Sequence, residues 1–560
     1  AQAVKHLYPK AMFWVGPVID SGFYYDIDLG DEVIKEEDLE KIEKEMKKIS
    51  KDGKRIVRHE ISKSEALEMF KDDPYKIDLI NRMNEDDTVI SCYTQGDFTD
   101  LCRGPHVDTV KELKYFKLLK VSGAYWKGDA NNKMLQRIYG VCFDTEERLK
   151  EYLDLLEEAK KRDHKKLGKE LDLFMISEYG PGFPFFLPKG MIIRNELENF
   201  WYKEHTKEGY DFVKTPIMLN KELWEVSGHW YNYRENMYTS EIDEKTFAIK
   251  PMNCPGGMLV YKNSLHSYKD LPIRIGELGQ VHRHEASGAL NGLFRVRTFT
   301  QDDAHIFMRE DQIESEIVRL INFIDRMYKI FGLTYDIELS TRPEEKYIGS
   351  IEIWDKSEAI LEKACHEAGH DCKINPGDGA FYGPKLDFHI KDSLGRVWQC
   401  GTIQLDMNLP ERFDLTYVDA DGSKKRPIML HRVIYGSIER FIGILIEHYA
   451  GAFPTWLSPV QVNVIPVNNE YHLEYANNLM NRLKELDIRC EMDDREEKLG
   501  YKIRESQTKK IPYTLVIGDN EKNEDKITYR KYGHKDTETV STEEFIKMIL
   551  EEIKTKGMNK

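Results

Sequence analysis

Apolar side chains change their spacing several times along the chain, and each change marks a new element. Within residues 1–145, short runs such as FYYDIDL suit strands, whereas Leu39, Ile42, Met46 and Ile49 recur at helical intervals. A small α+β domain is predicted there. Over residues 146–169, Leu149, Leu153, Leu156 and Ala159 fall on one side of a charged segment, which predicts a linker helix. Pro181, Pro184 and Pro188, with Gly180, Gly182 and Gly190, then interrupt the chain before a helix expected to begin near Met191. This punctuation opens a second domain, expected over 170–455. Inside it, RVRTFT and LDFHI read as strands, and Ile313, Ile317, Leu320, Ile324, Met327 and Phe331 keep a helical period. An antiparallel sheet with packed helices fits. Beyond Pro454 and Pro459 the order becomes strand (QVNVIPV), helix over about 470–486, strand, helix, strand (YTLVIG), strand (ITYRKY) and helix. That alternation predicts a compact α/β domain over 456–560.

The 560 residues exceed what one hydrophobic core organises, in agreement with a multidomain α+β chain. No apolar run is long enough to span a bilayer, so no membrane association is expected. The cysteines (Cys92, Cys102, Cys142, Cys254, Cys365, Cys372, Cys400 and Cys490) lack a disulfide-framework spacing, which points to a reducing compartment and hence the cytoplasm. A formal net charge of -16 argues against a protein that coats nucleic acid electrostatically. Local basic stretches remain, at Lys160, Lys161, Arg162, Lys165 and Lys166 and again at Lys502, Arg504, Lys509 and Lys510. Each is most often a solvated helix face. The first residue is Ala and the opening segment is neither a signal peptide nor a normal start, so an N-terminally trimmed chain is expected.

Two sets of residues carry candidate chemistry. Cys254 in MNCPGGM, His305 in FTQDDAHIF and His431 in MLHRVIYGSIERF could meet at one metal, although dispersed ligands give no local spacing signal. Taken singly, each is more often a buried thiol or a satisfied imidazole. Arg283, Arg295 and Arg440 lie in glycine-punctuated segments, and their planar guanidinium forks match phosphate oxygens. An isolated arginine is usually a surface residue or half of an ion pair.

The combination is more specific than its parts. MNCPGGM, RIGELGQVHRHEASGALNGLFRVRTFTQDDAHIF, AFYGPKLDF, QCGTIQLD and HRVIYGSIERFIGILIEHYAGAFPTWLSP together resemble the threonyl-tRNA synthetases of class II, over essentially the whole chain. TPIMLNKELWEVSGHW, with Pro216, resembles the first class II motif, which in that family forms much of a homodimer interface. The resemblance implies a class II antiparallel catalytic sheet with flanking helices, an N-terminal α+β editing-like domain and a C-terminal α/β anticodon-binding domain. It implies ATP-dependent activation of L-threonine to the adenylate and transfer to the 3′ end of tRNA(Thr).

Carried over by position, Cys254, His305 and His431 would hold one zinc ion per subunit. Arg283 and Arg440 would be catalytic and bind phosphate; Glu285, Arg295, Phe299, Gln399 and Ser437 would complete the site for ATP with Mg2+. Met252, Gln301, Asp303, Tyr382, Lys385 and Gln404 would surround threonine. Tyr24, Lys76, Asp100, Cys102 and His106 match the family's editing domain, which hydrolyses seryl-tRNA. That domain carries an HxxxH motif just before the segment matching AQAVKHLYP, and His6 does not replace it, so impaired editing is expected in this chain. Lys510, Glu521 and Arg530 match anticodon-contacting positions. A regulatory paralogue would have no reason to keep the metal set and both motif arginines together. A stand-alone hydrolase built on Cys102 and His106 would leave the nucleotide motifs unexplained.

Overall fold

A computed structural model describes residues 1–19, 22–83, 90–129 and 131–557. The chain forms two compact units, Ala1–Glu158 and Ala159–Lys560. In the first, a five-stranded sheet includes β1 (Gly22–Asp28) and a separate antiparallel sheet joins β2 (Ile56–Ile61), β3 (Ile90–Gln95) and β4 (Phe98–Leu101). The five-stranded sheet continues through β5 (Tyr115–Tyr125) and β6 (Met134–Phe143). The predicted helix is α1 (Leu39–Asp52), which buries Leu39 and Ile42 with Ile27 and Leu118 and ends at Gly53 in the left-handed region.

The linker differs from its prediction as one helix. It divides into α2 (Glu146–Arg162) and α3 (His164–Glu170) at Asp163, whose side chain accepts the Lys165 amide proton and starts a new helix. An N-capping aspartate competes with helix continuation because its oxygen offers the backbone a second partner. The next helix, α4 (Pro188–Lys207), begins at the proline rather than near Met191. Proline suits a first helical position because its missing N–H would have no intrahelical partner there.

The second unit is organised by an eight-stranded sheet. Its strands are β7 (Asp211–Phe212), β8 (Ile273–His282), β9 (Thr298–Met308), β10 (Thr334–Ser340), β11 (Cys372–Asn375), β12 (Lys385–Lys391), β13 (Val397–Asp406) and β14 (Ile428–Val433). They lie in the order β7-β8-β9-β14-β13-β12-β10-β11, antiparallel throughout except at the two ends. RVRTFT therefore divides, with Arg295–Arg297 preceding the strand. Helices α5 (Cys254–Lys262), α6 (Ile313–Ile330) and α7 (Ile438–His448) follow in the same unit, and α6 carries the periodic stripe into the core.

The C-terminal region has a five-stranded mixed sheet with α8 (Asn469–Glu485), α9 (Leu499–Thr508) and α10 (Thr542–Thr555). It is fastened to α4. Arg489 pairs with Glu196 at 2.6 Å and donates to the Trp456 and Ser458 carbonyls, while the Lys556 ammonium lies 4.0 Å from the Trp456 ring centroid. No helix among the described residues is long and apolar enough to cross a membrane.

Backbone approaches very closely at Gly190, in the first turn of α4, where an added Cβ would lie 1.9 Å from the Leu173 carbonyl oxygen. Backbone cannot yield as a side chain can. Gly190→Ala is therefore expected to lower stability by about 3 kcal/mol, read from the urea midpoint of the second unit.

Candidate active site

The candidate metal ligands converge because two strands are in one register. His305 on β9 stands directly opposite His431 on β14, and Cys254 is the first residue of α5. One ligand atom from each lies within 4.8 Å of the others, and all three residues are buried. Burial pushes the Cys254 thiol well above its ordinary pKa and lowers that of His305 to about 4, the latter partly opposed by Asp303. His305 Nε2 is buried without a hydrogen-bond partner, with the Asp303 carboxylate 3.9 Å away. His431 Nε2 is 2.9 Å from Asp406 Oδ2, and the other carboxylate oxygen accepts the Asn408 and Leu409 amide protons. A donor to that carboxylate places the proton on Nε2 and leaves Nδ1 as the lone-pair nitrogen. One sulfur and two imidazole nitrogens, one of them orphaned, fit a zinc ion with an open coordination position.

A cavity of about 530 Å³ adjoins this cluster and is lined by Cys254 and His431. Arg283, Glu285, Arg295, Phe299, Gln399, Ser437 and Arg440 all line it, as do Met252, Gln301, Asp303, Tyr382 and Gln404. Arg283 lies over Phe299, 5.1 Å from the ring centroid, and its Nε donates to the Pro251 carbonyl. Arg440 Nε is buried without a hydrogen-bond partner. Arg295 is more exposed and lies 3.7 Å from Glu285.

Lys385 is the exception among the expected threonine-site residues. It stands opposite Gln404 in the sheet, but its ammonium pairs with Asp387 at 2.6 Å and Asp378 at 3.3 Å and is not part of the cavity wall. Residues two apart on a strand share a face, so Asp387 captures it.

Several supporting residues escaped the sequence reading. Asp302, fully buried, accepts amide protons from Ile434, Tyr435 and Gly436 and the indole proton of Trp201. Burial raises its pKa to about 6 against the pull of Arg432 and these amides. Asn253 donates to Asp303 at 3.0 Å, and His229 Nε2 lies 3.7 Å from Cys254 Sγ. Arg194 on α4 bridges Glu439 and Thr300 at 2.8 and 2.7 Å, and Glu439 also accepts the Thr300 amide proton. Asn253, His229, Asp302 and Glu439 lie inside the motif segments and Arg194 does not, but only the assembled sheet shows the partners that give them these roles.

In the first unit, Lys76 and Asp100 form a 2.5 Å ion pair, Cys102 Sγ accepts the Gly104 amide proton, and the His106 ring packs 4.3 Å from Tyr93. Burial lowers the His106 pKa. Tyr25, not Tyr24, donates to Asp100; Tyr24 lies beneath the Arg137 guanidinium at 3.8 Å. Successive residues of β1 face opposite sides, so only one of the pair reaches the carboxylate. Of the three anticodon positions, Arg530 has a buried Nε without a partner, whereas both Glu521 oxygens are taken by the Gly518 amide and the Thr528 hydroxyl. Lys510 lines a separate cavity of about 80 Å³ with Lys189 and Lys509.

Residues 238–449 match the class II tRNA synthetase core domain of the G, H, P, S and T enzymes. Residues 461–552 match the anticodon-binding domain, and residues 90–139 the second additional domain of threonyl- and alanyl-tRNA synthetases. Fold and site together define a class II aminoacyl-tRNA synthetase. The threonine–tRNA ligase of Fusobacterium nucleatum is 62% identical over 557 residues, covering 99% of this chain and 89% of that protein; the Clostridium tetani ligase is 59% identical, with 99% and 86% covered. A crystal structure titled as the RNA-binding domain of threonyl-tRNA synthetase from Cryptosporidium parvum aligns with a TM-score of 0.68 at 41% identity, covering 70% of this chain and 98% of that one. The chain belongs to the threonine–tRNA ligases and catalyses ATP-dependent aminoacylation of tRNA(Thr).

Arg194→Ala should leave Glu439 buried without its cation, lowering stability by about 3 kcal/mol, and Arg194→Lys should restore only part of it because lysine cannot bridge two partners as a fork. Comparison of urea unfolding midpoints checks both.

Proposed function

We propose that threonine is selected at a zinc site formed by Cys254, His305 and His431. The orphaned, buried Nε2 of His305 beside a thiol and a second imidazole is the observation that carries this reading. A zinc ion bound there would offer its open position to the amino and hydroxyl groups of threonine, so that valine, equal in size but without a hydroxyl, gains no bond. Asp303, held by Asn253, supplies a carboxylate for the amino group. Tyr382 stacks on His431 at 4.6 Å and donates to Gln404, closing one side of the amino-acid pocket.

ATP, accompanied by Mg2+, occupies the remainder of the cavity. Phe299 and Arg283 enclose the adenine and α-phosphate, Glu285 reads the adenine amino group, and Arg440 receives the phosphate tail. The threonine carboxylate attacks the α-phosphorus, the bond to the bridging oxygen breaks, and pyrophosphate leaves with that electron pair. The carboxylate is already ionised, so no protein base is required. Positioning and the two guanidinium charges lower the barrier. A hydroxyl of the terminal ribose of tRNA then attacks the adenylate carbonyl carbon and loses its proton to solvent, the mixed-anhydride C–O bond breaks, and AMP leaves with that electron pair, so that the threonyl group ends on tRNA.

The C-terminal domain would present Arg530 to anticodon bases. Glu521 is better suited to holding its own turn. Exposed Ile217, Met218 and Val226 within the first-motif segment, with exposed Tyr231 next to it, support a homodimer. The free thiols accord with a cytoplasmic location. Serine also offers a hydroxyl, so a second, hydrolytic site for seryl-tRNA is chemically motivated; Lys76, Asp100, Cys102 and His106 match part of such a site, whose activity is expected to be impaired in this chain.

Cys254→Ser tests the metal reading. It should abolish stoichiometric zinc in the purified protein and reduce threonine activation at least ~100-fold, since a soft thiolate ligand is lost. Retained zinc with unchanged activation would refute the assignment.

A further inference from the structure

His164, the first residue of α3, is buried to 1% exposure within the second unit. With Asp163 and Glu447 it forms a group close enough to suggest a cation. Its bonding excludes that. Nδ1 is 2.7 Å from Glu447 Oε1, and Nε2 accepts the Leu293 amide proton at 3.0 Å. A proton on Nδ1 and an amide donor at Nε2 leave no lone pair for a metal. Glu447 is in turn paired through its other oxygen with Arg396 at 2.6 Å.

Leu293 lies in the turn between β8 and β9 that carries Phe294 and Arg295 into the nucleotide cavity. The imidazole packs 4.0 Å from the Phe294 ring, and the neighbouring Lys165 donates to Asn291 at 3.1 Å. Gly292 leaves no room for a side chain: a Cβ there would sit 2.1 Å from His164 Nε2. The linker thus touches four consecutive residues of this turn, Asn291 to Phe294, while Glu447 near the end of α7 holds the histidine.

We propose that His164 is a positioning residue for ATP, fixing the 291–295 turn so that Arg295 and Phe294 are set before the nucleotide arrives. This rests on the reading of the cavity as the ATP site. His164 touches no substrate; its effect is to restrict the turn, so its loss raises the cost of ordering Arg295 on nucleotide binding. The linker helix would thereby bear on amino-acid activation, a reaction that needs no tRNA.

The variants His164→Asn and His164→Gln separate its two bonds. Asparagine reaches Glu447 but not Leu293; glutamine extends a carbonyl oxygen towards the Leu293 amide. Leu167→Ala, on the same helix and buried in the core, serves as a packing control. Threonine-dependent ATP–pyrophosphate exchange and hydrogen exchange of the 290–296 segment are measured for each. His164→Asn is expected to raise the KM for ATP about tenfold, with the KM for threonine and kcat within about twofold, and to speed exchange of the segment about tenfold. His164→Gln should restore most of both, and Leu167→Ala should change neither. An unchanged KM for ATP in a folded His164→Asn protein would overturn the proposal, as would equal rises for ATP and threonine in both His164→Asn and Leu167→Ala. Were His164→Asn unstable, the milder Lys165→Met reads the same turn, and wild-type values for its KM and exchange would equally overturn the proposal. Absence of exchange activity in the wild-type protein would instead refute the ATP-site reading itself.

Discussion

The antiparallel pairing of β9 with β14 is the constraint on which the site depends. Its register sets His305 against His431, and a slip of one residue would turn every side chain of one strand to the opposite face. Asp302, one strand position from Asp303, uses both carboxylate oxygens to hold the three amides that follow β14. A single aspartate therefore couples the ligand-bearing strands to the turn that delivers Ser437 and Arg440. Burial raises its pKa to about 6, so the amides and Arg432 are what retain a carboxylate there. The Cys254, His305 and His431 cluster and the turn leading to Arg440 are two ends of one hydrogen-bonded unit.

Around that unit, two arginine–carboxylate pairs and one histidine–carboxylate hydrogen bond act at the joints between elements. Arg194 ties α4 to α7 through Glu439, Arg489 ties the C-terminal domain to α4 through Glu196, and His164 ties the linker to α7 through Glu447. Each places a buried or half-buried charge where its partner fixes direction as well as distance. Such joints transmit position better than apolar packing does, because a hydrogen bond has one favourable orientation. A chain with a strong net negative charge can still bind polyanions through such local arrangements of arginine and lysine.

The architecture was legible where periodicity acts within one element. Helix α6 was visible because its apolar residues recur at helical spacing, and the C-terminal strands because β-branched runs are bounded by turns. The Asp163 break was missed although the N-cap residue was in plain view, since the apolar stripe on either side masked it. Site residues were legible only as a resemblance: Cys254, His305 and His431 lie far apart in sequence, and no local rule foretells that β9 and β14 pair. Tyr24 and Tyr25 could not be told apart without knowing which face of β1 meets Asp100. The pairing of Lys385 with Asp387 could not be foretold because it depends on how the strand is seated. Asp302, Asp406 and His164 were invisible for the same reason, as their roles consist of partners distant along the chain.

The central claim is that a hydroxyl-requiring metal site governs activation in the cavity between the zinc ligands and Arg440. ATP–pyrophosphate exchange driven separately by threonine, serine and valine, before and after chelation of the purified protein, tests it most directly. The account predicts strong exchange with threonine, weaker exchange with serine, none with valine, and loss of exchange on chelation that added zinc restores. Exchange that survives complete removal of zinc, or that valine supports as well as threonine does, would contradict it.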